Sequence, residues 1–208
     1  LAENRPGLLL GWGEKAFGYF KQASLLRLVQ RFRQGDAVVD VYVISWLALE
    51  VIALALTAIF SKSPGDAGVL WLVLLGVIFG YRLADILQAV GNVVVFDALR
   101  EGAKPAASPQ RSLLLGFVNY VEIVVIFALA VYVVGDEFAR PVGHLWDAVY
   151  SSLRQSALLG APMEPVTRLA YFVSVVQVAM SILVLLTLLA WVIGSLPRRT
   201  DREGRERK

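Results

Sequence analysis

The sequence predicts an all-α membrane protein with four transmembrane helices, a short re-entrant helix and loop between the third and fourth, and an amphipathic helix ahead of the first. Three observations carry this. Hydrophobic residues make up 57% of the 208-residue chain, with a mean hydropathy of +0.64, more than a soluble domain of this length carries. Four apolar runs reach the roughly 20 residues that a bilayer core requires. Between the last two lies WDAVYSSLRQSALLGAPMEP, which starts as an amphipathic helix and ends in glycine and prolines.

Residues 1–37 form a cytoplasmic segment in which Phe17, Phe20, Leu25, Leu28 and Phe32 approximate a helical stripe, with Lys21 and Arg31 at its edge. Such a helix serves either as an anchor on the anionic lipids of the inner leaflet or as a gating element. No cleavable signal peptide is expected, because LLLGW is too short. The peripheral two-span region, 38–111, holds spans at 38–60 and 69–88, joined by a turn at Pro64-Gly65. The connection 89–111 continues the second helix or lies along the interface, then becomes the linker KPAASPQ. Spans at 112–134 and 169–196 belong to a third region, 112–197, and 198–208 is a basic tail.

Lysine and arginine set the orientation. Lys15, Lys21, Arg27, Arg31 and Arg33 precede the first span; Arg100, Lys104 and Arg111 lie in the middle connection, and six basic residues in the tail. The opposite loops hold only Lys62 and Arg140, with Arg168 at the last span's outer end. Both termini are therefore expected in the cytoplasm of a prokaryotic cell, with the chain in its inner membrane. The absence of cysteine excludes disulfides and thiolate sites, and the single His144 excludes a histidine cluster. No nucleophile–base pair or phosphate loop marks an enzyme, and no cofactor is expected. The tail, RRTDREGRERK, is short and mixed in sign, which suits lipid headgroups rather than nucleic acid.

From Asp147 to Leu159 is too short a helix to cross, and Gly160, Pro162 and Pro165 end it. Irregular backbone at membrane depth must face protein or water. Several copies around an axis satisfy that better than one chain.

DAVYSSLRQSALLG aligns without a gap with the stretch D-A-L-Y-F-S-x-x-T-x-T-T-V-G of the tetrameric potassium-channel pore, and Pro165-Val166-Thr167 matches the pattern's close. Gln177 and the leucine-rich run behind it look like that family's inner helix. The resemblance covers about 112–196 and implies a homotetramer of pore-loop subunits, each with a pore helix, a filter and an inner helix. The filter departs from the pattern. Ala157, Leu158, Leu159, Gly160, Ala161 and Pro162 replace T-T-V-G-Y-G-D; Leu158 takes the place of the threonine of the inner ion site, and the second glycine is missing. The shortened, proline-containing loop resembles that of cyclic-nucleotide-gated channels. It implies passage of potassium and sodium with little discrimination, through carbonyls near Leu159–Ala161.

Arg154 and Glu164 are expected to pair and brace the loop, or Glu164 to form a carboxylate ring at the outer mouth; an Arg154 open to the pore would favour anions. Glu50, Arg82, Asp85 and Glu122 lie within spans, where charges are costly and paired. An Arg82–Glu50 or Arg82–Glu122 bridge is expected, a proton or voltage-sensing role being the alternative. Ser174, Gln177 and Ser181 share a face of the last span and either hydrogen-bond between helices or line an inner cavity. The leading functional expectation is a weakly selective cation channel. A non-conducting channel-like subunit is second, because Leu158 and Leu159 form an apolar constriction. A proton-coupled transporter using Glu50 and Glu122 is third.

Overall fold

A computed structural model describes residues 36–60, 66–91, 109–160 and 162–195. These residues form helices joined by turns, and four of the helices are long and apolar enough to cross a membrane. The expected N-terminal amphipathic helix, the turn at Pro64-Gly65, the linker, Ala161 and the basic tail lie outside the described residues. The chain divides into two compact units, 1–92 and 93–208.

In the first unit, α1 (Asp36–Phe60) and α2 (Asp66–Gly91) match the two predicted spans and begin slightly earlier. Their surfaces invert the soluble pattern. Val41, Ile44, Ile52, Val73 and Val77 are exposed, while Glu50, Thr57, Arg82 and Gln88 are buried. Lipid is the solvent that makes this stable, since apolar side chains lose nothing there and polar ones must find partners inside. Arg82, 2% exposed, finds them in three directions. Its Nη1 donates to Asp85 Oδ2 at 2.7 Å, one turn along α2. The guanidinium lies 5.5 Å from the Tyr42 ring centre and 5.8 Å from that of Trp46, both on α1. Tyr42 Oη donates to the same Asp85 oxygen at 3.1 Å. Trp46 also packs on Tyr81, with ring centres 6.3 Å apart. One buried cation and its carboxylate thus join α1 to α2. Thr57 satisfies its hydroxyl on its own helix, donating to the Ala53 carbonyl.

In the second unit, Pro109 opens α3 (Pro109–Val133), a position where its missing N–H costs nothing. A 3-10 turn, Gly135–Glu137, follows. Next come α4 (Leu145–Ser156) and α5 (Arg168–Ser195). Thr167 caps α5, its Oγ1 accepting from Ala170 N–H. Helices α3 and α5 approach closely at Gly116, where a Cβ would meet Leu188 Cδ2 at 2.8 Å. At the other end, Val131, Phe138, Val142, Ala148, Met163 and Ala170 form one buried cluster. It ties the end of α3, the start of α4 and the start of α5 to the segment returning from the loop.

Candidate functional site

Helix α4 has 12 residues, and its sides are reversed relative to a soluble amphipathic helix. Ala148, Ser151, Ser152, Gln155 and Ser156 repeat at helical spacing and are buried. Trp146, Tyr150 and Leu153 are exposed. The polar inner side persists because its groups are hydrogen-bonded. Ser152 Oγ donates to the Val124 carbonyl of α3 at 2.7 Å. Gln155 Nε2 donates to the Ser174 carbonyl of α5 at 2.9 Å. From α5, Gln177 Nε2 lies within 2.9 Å of the Ser152 carbonyl and Oγ, and 3.0 Å from Ser156 Oγ. The last turn of α4 is thereby fixed to both neighbours.

The helix stops at Ser156, before the expected Leu159. Leu158 N–H donates to Gln155 O and Leu159 N–H to Arg154 O, the paired bonds of a Schellman turn. That turn needs a left-handed residue, and Leu158 supplies it at φ +58°. A leucine there costs about 1–2 kcal/mol, which is why such turns usually use glycine. Gly160 follows at φ +85°, without that cost. The backbone polarity of the loop follows from this geometry. The N–H groups of Ala157, Leu158 and Leu159 are all used within the turn. The carbonyls of Ala157, Leu158 and Gly160 accept no hydrogen bond among the described residues. The loop thus has more carbonyls than N–H groups left without a partner among the described residues. Its side chains are also open, Leu158 being 50% and Leu159 68% exposed.

Beyond the loop the chain is fixed again. Met163 is buried in the cluster described above. Ala139 N–H donates to Glu164 O at 2.9 Å, Val166 N–H donates to Glu137 O at 3.1 Å, and Phe138 and Pro165 form an isolated antiparallel bridge. Both feet of the loop are therefore anchored, while the Glu164 side chain remains exposed.

One expectation changes, and one pair of alternatives narrows. Arg154 and Glu164 form no salt bridge among the described residues. Arg154 Nη2 instead donates to the Leu159 carbonyl at 3.2 Å, and its guanidinium lies 5.7 Å from the Tyr150 ring centre. The short reach back along its own helix end, over a flat ring, holds it there. Ser174, Gln177 and Ser181 are buried within the chain, so they do not line an open cavity; Gln177 serves helix–helix bonding. Gln177 Oε1 and the hydroxyls of Ser174 and Ser181 have no partner among the described residues. Of the charges expected within spans, Arg82 meets Asp85, and Glu50 and Glu122 are buried. Sequence reasoning missed the serines of α4 and the bridge at Phe138. The serines were readable from two i, i+4 pairs, Ser151 with Gln155 and Ser152 with Ser156; the bridge has no periodic signal. No group of three or more histidine, aspartate or glutamate side chains suited to a metal ion occurs among the described residues. No protein-family model, curated protein or solved structure matches the chain.

Proposed function

We propose that the chain is one subunit of a homotetrameric pore-loop channel, weakly selective among monovalent cations such as potassium and sodium. In this reading α4 is a re-entrant pore helix, and the chain sits in the inner membrane with both termini cytoplasmic. One observation carries it: a helix too short to cross, hydrogen-bonded between two span-length helices, ends in an exposed turn that consumes the N–H groups of Ala157, Leu158 and Leu159 and leaves the carbonyls of Ala157, Leu158 and Gly160 without a donor among the described residues. Such backbone persists at membrane depth only against protein or water. Copies arranged around an axis supply both, covering Trp146, Tyr150 and Leu153 and leaving the loop on a central aqueous path. Carbonyls there replace part of an ion's hydration shell, and the exposed Glu164 draws cations to the mouth. With the filter's second glycine absent, stacked potassium-specific rings are not formed. A non-conducting frame is the second reading, favoured by the exposed Leu158 and Leu159, whose apolar ring can expel water.

The chain has no cysteine, so a single Leu159→Cys thiol reports on its own surroundings. In reconstituted vesicles a charged, membrane-impermeant thiol reagent is expected to label Leu159→Cys and Glu164→Cys and to leave Val77→Cys, on the apolar surface of α2, unlabelled. Labelling of Glu164→Cys without Leu159→Cys contradicts a wet loop.

A further inference from the structure

We propose that Arg154 is a tethered cation of the loop, occupying the Leu159 carbonyl and thereby limiting the entry of free cations. This rests on the pore reading and assigns a throughput-limiting residue within it. Four features place the charge there. Nη2 lies 3.2 Å from Leu159 O. The guanidinium stacks near the Tyr150 ring, at 5.7 Å, which keeps its plane beside the helix end. It sits in the last turn of α4, where the helix dipole favours a positive charge. No carboxylate pairs with it among the described residues, so its charge is not cancelled by a neighbouring ion pair.

The consequence follows from the rest of the loop. Among the described residues, Leu159 O is the loop carbonyl with a side-chain donor, and those of Ala157, Leu158 and Gly160 accept no hydrogen bond. A free cation approaching these oxygens meets a fixed like charge at their centre and must coexist with it or displace it. Four copies place four such charges around the path. The N–H groups of Ala157, Leu158 and Leu159 are consumed by the Schellman turn and cannot help Arg154 to bind an anion. Glu164 at the mouth and Arg154 at the loop act in opposite senses, the first concentrating cations and the second restricting their passage.

The test is ion flux from liposomes carrying the full chain, Arg154→Gln or Arg154→Met, with potassium, sodium and chloride gradients applied separately. Arg154→Met keeps an apolar stem against Tyr150, so it covers the case in which the glutamine variant folds poorly. Circular dichroism and light scattering select the preparations that keep the helical content and size of the parent. The expected result is a cation flux raised about ten-fold in either variant, the scale of one charge-assisted hydrogen bond lost, with chloride flux unchanged. A parent that conducts cations, with folded variants that conduct equally or less, overturns the role given to Arg154 and leaves the pore reading standing. Chloride flux in the parent that the variants lose also overturns it, showing Arg154 as an anion ligand. No flux of any ion in parent and variants alike removes the pore reading itself, and the proposal with it.

Discussion

Gln177 is the residue on which the position of the loop depends most. Its Nε2 group reaches the Ser152 carbonyl, the Ser152 hydroxyl and the Ser156 hydroxyl, all in the last turns of α4. Gln177→Met keeps the volume and removes the donor, leaving buried acceptors without it. The expected loss is about 1–3 kcal/mol, read as a lower melting temperature in detergent. Leu158→Gly should act in the other direction. It removes the left-handed leucine and raises stability by about 1 kcal/mol, against glycine's entropic cost in the unfolded chain. A lower melting temperature for this variant contradicts the Schellman geometry. Glu164→Gln is expected to lower cation flux several-fold at low salt and to have little effect near 1 M, where charges are screened beyond about 3 Å. The sequence singled these residues out but did not show what they touch. Gln177 stood out as a polar residue on an apolar helix, yet its orientation toward α4 is a packing result. Arg154 has candidate partners in the Leu159 carbonyl and the Glu164 carboxylate, and only its rotamer chooses Leu159.

At the scale of elements, the long helices were legible because hydropathy over about 20 residues averages out local ambiguity. Observed bounds differ from the predicted ones by a few residues at the ends, where propensity is weakest. Helix α4 was also legible, from its glycine and proline boundary, but not its early end. Ala157, Leu158 and Leu159 are ordinary helix formers, so nothing local announces a left-handed turn at Leu158. What stops the helix there is the need to return to Met163 and the bridge at Pro165. The pairing of α1 with α2 gives a test of its own. Asp85→Ala leaves Arg82 buried without the carboxylate that it meets at 2.7 Å. A loss of about 3 kcal/mol is expected, visible as early melting, whereas Tyr42→Phe, which removes the hydroxyl bond to Asp85 and keeps the ring, should cost about 1 kcal/mol.

At the scale of the whole molecule, the exposed apolar surfaces and the open loop have different requirements. Lipid satisfies Val41, Ile44, Val73 and Val77, but it cannot satisfy the backbone carbonyls of Ala157, Leu158 and Gly160. In the proposed assembly the loop therefore forces association where apolar side chains alone do not, and light scattering in mild detergent should give the mass of four chains. The Leu159→Cys labelling then reports whether the enclosed path is wet. The proposed pore stands or falls on conduction. Ion flux from liposomes carrying the purified protein, with potassium, sodium and chloride gradients tested separately, measures it. Flux of both cations without chloride is the predicted result. Flux of chloride, or of potassium with sodium excluded, would contradict a weakly selective cation path built from the carbonyls of Ala157–Gly160.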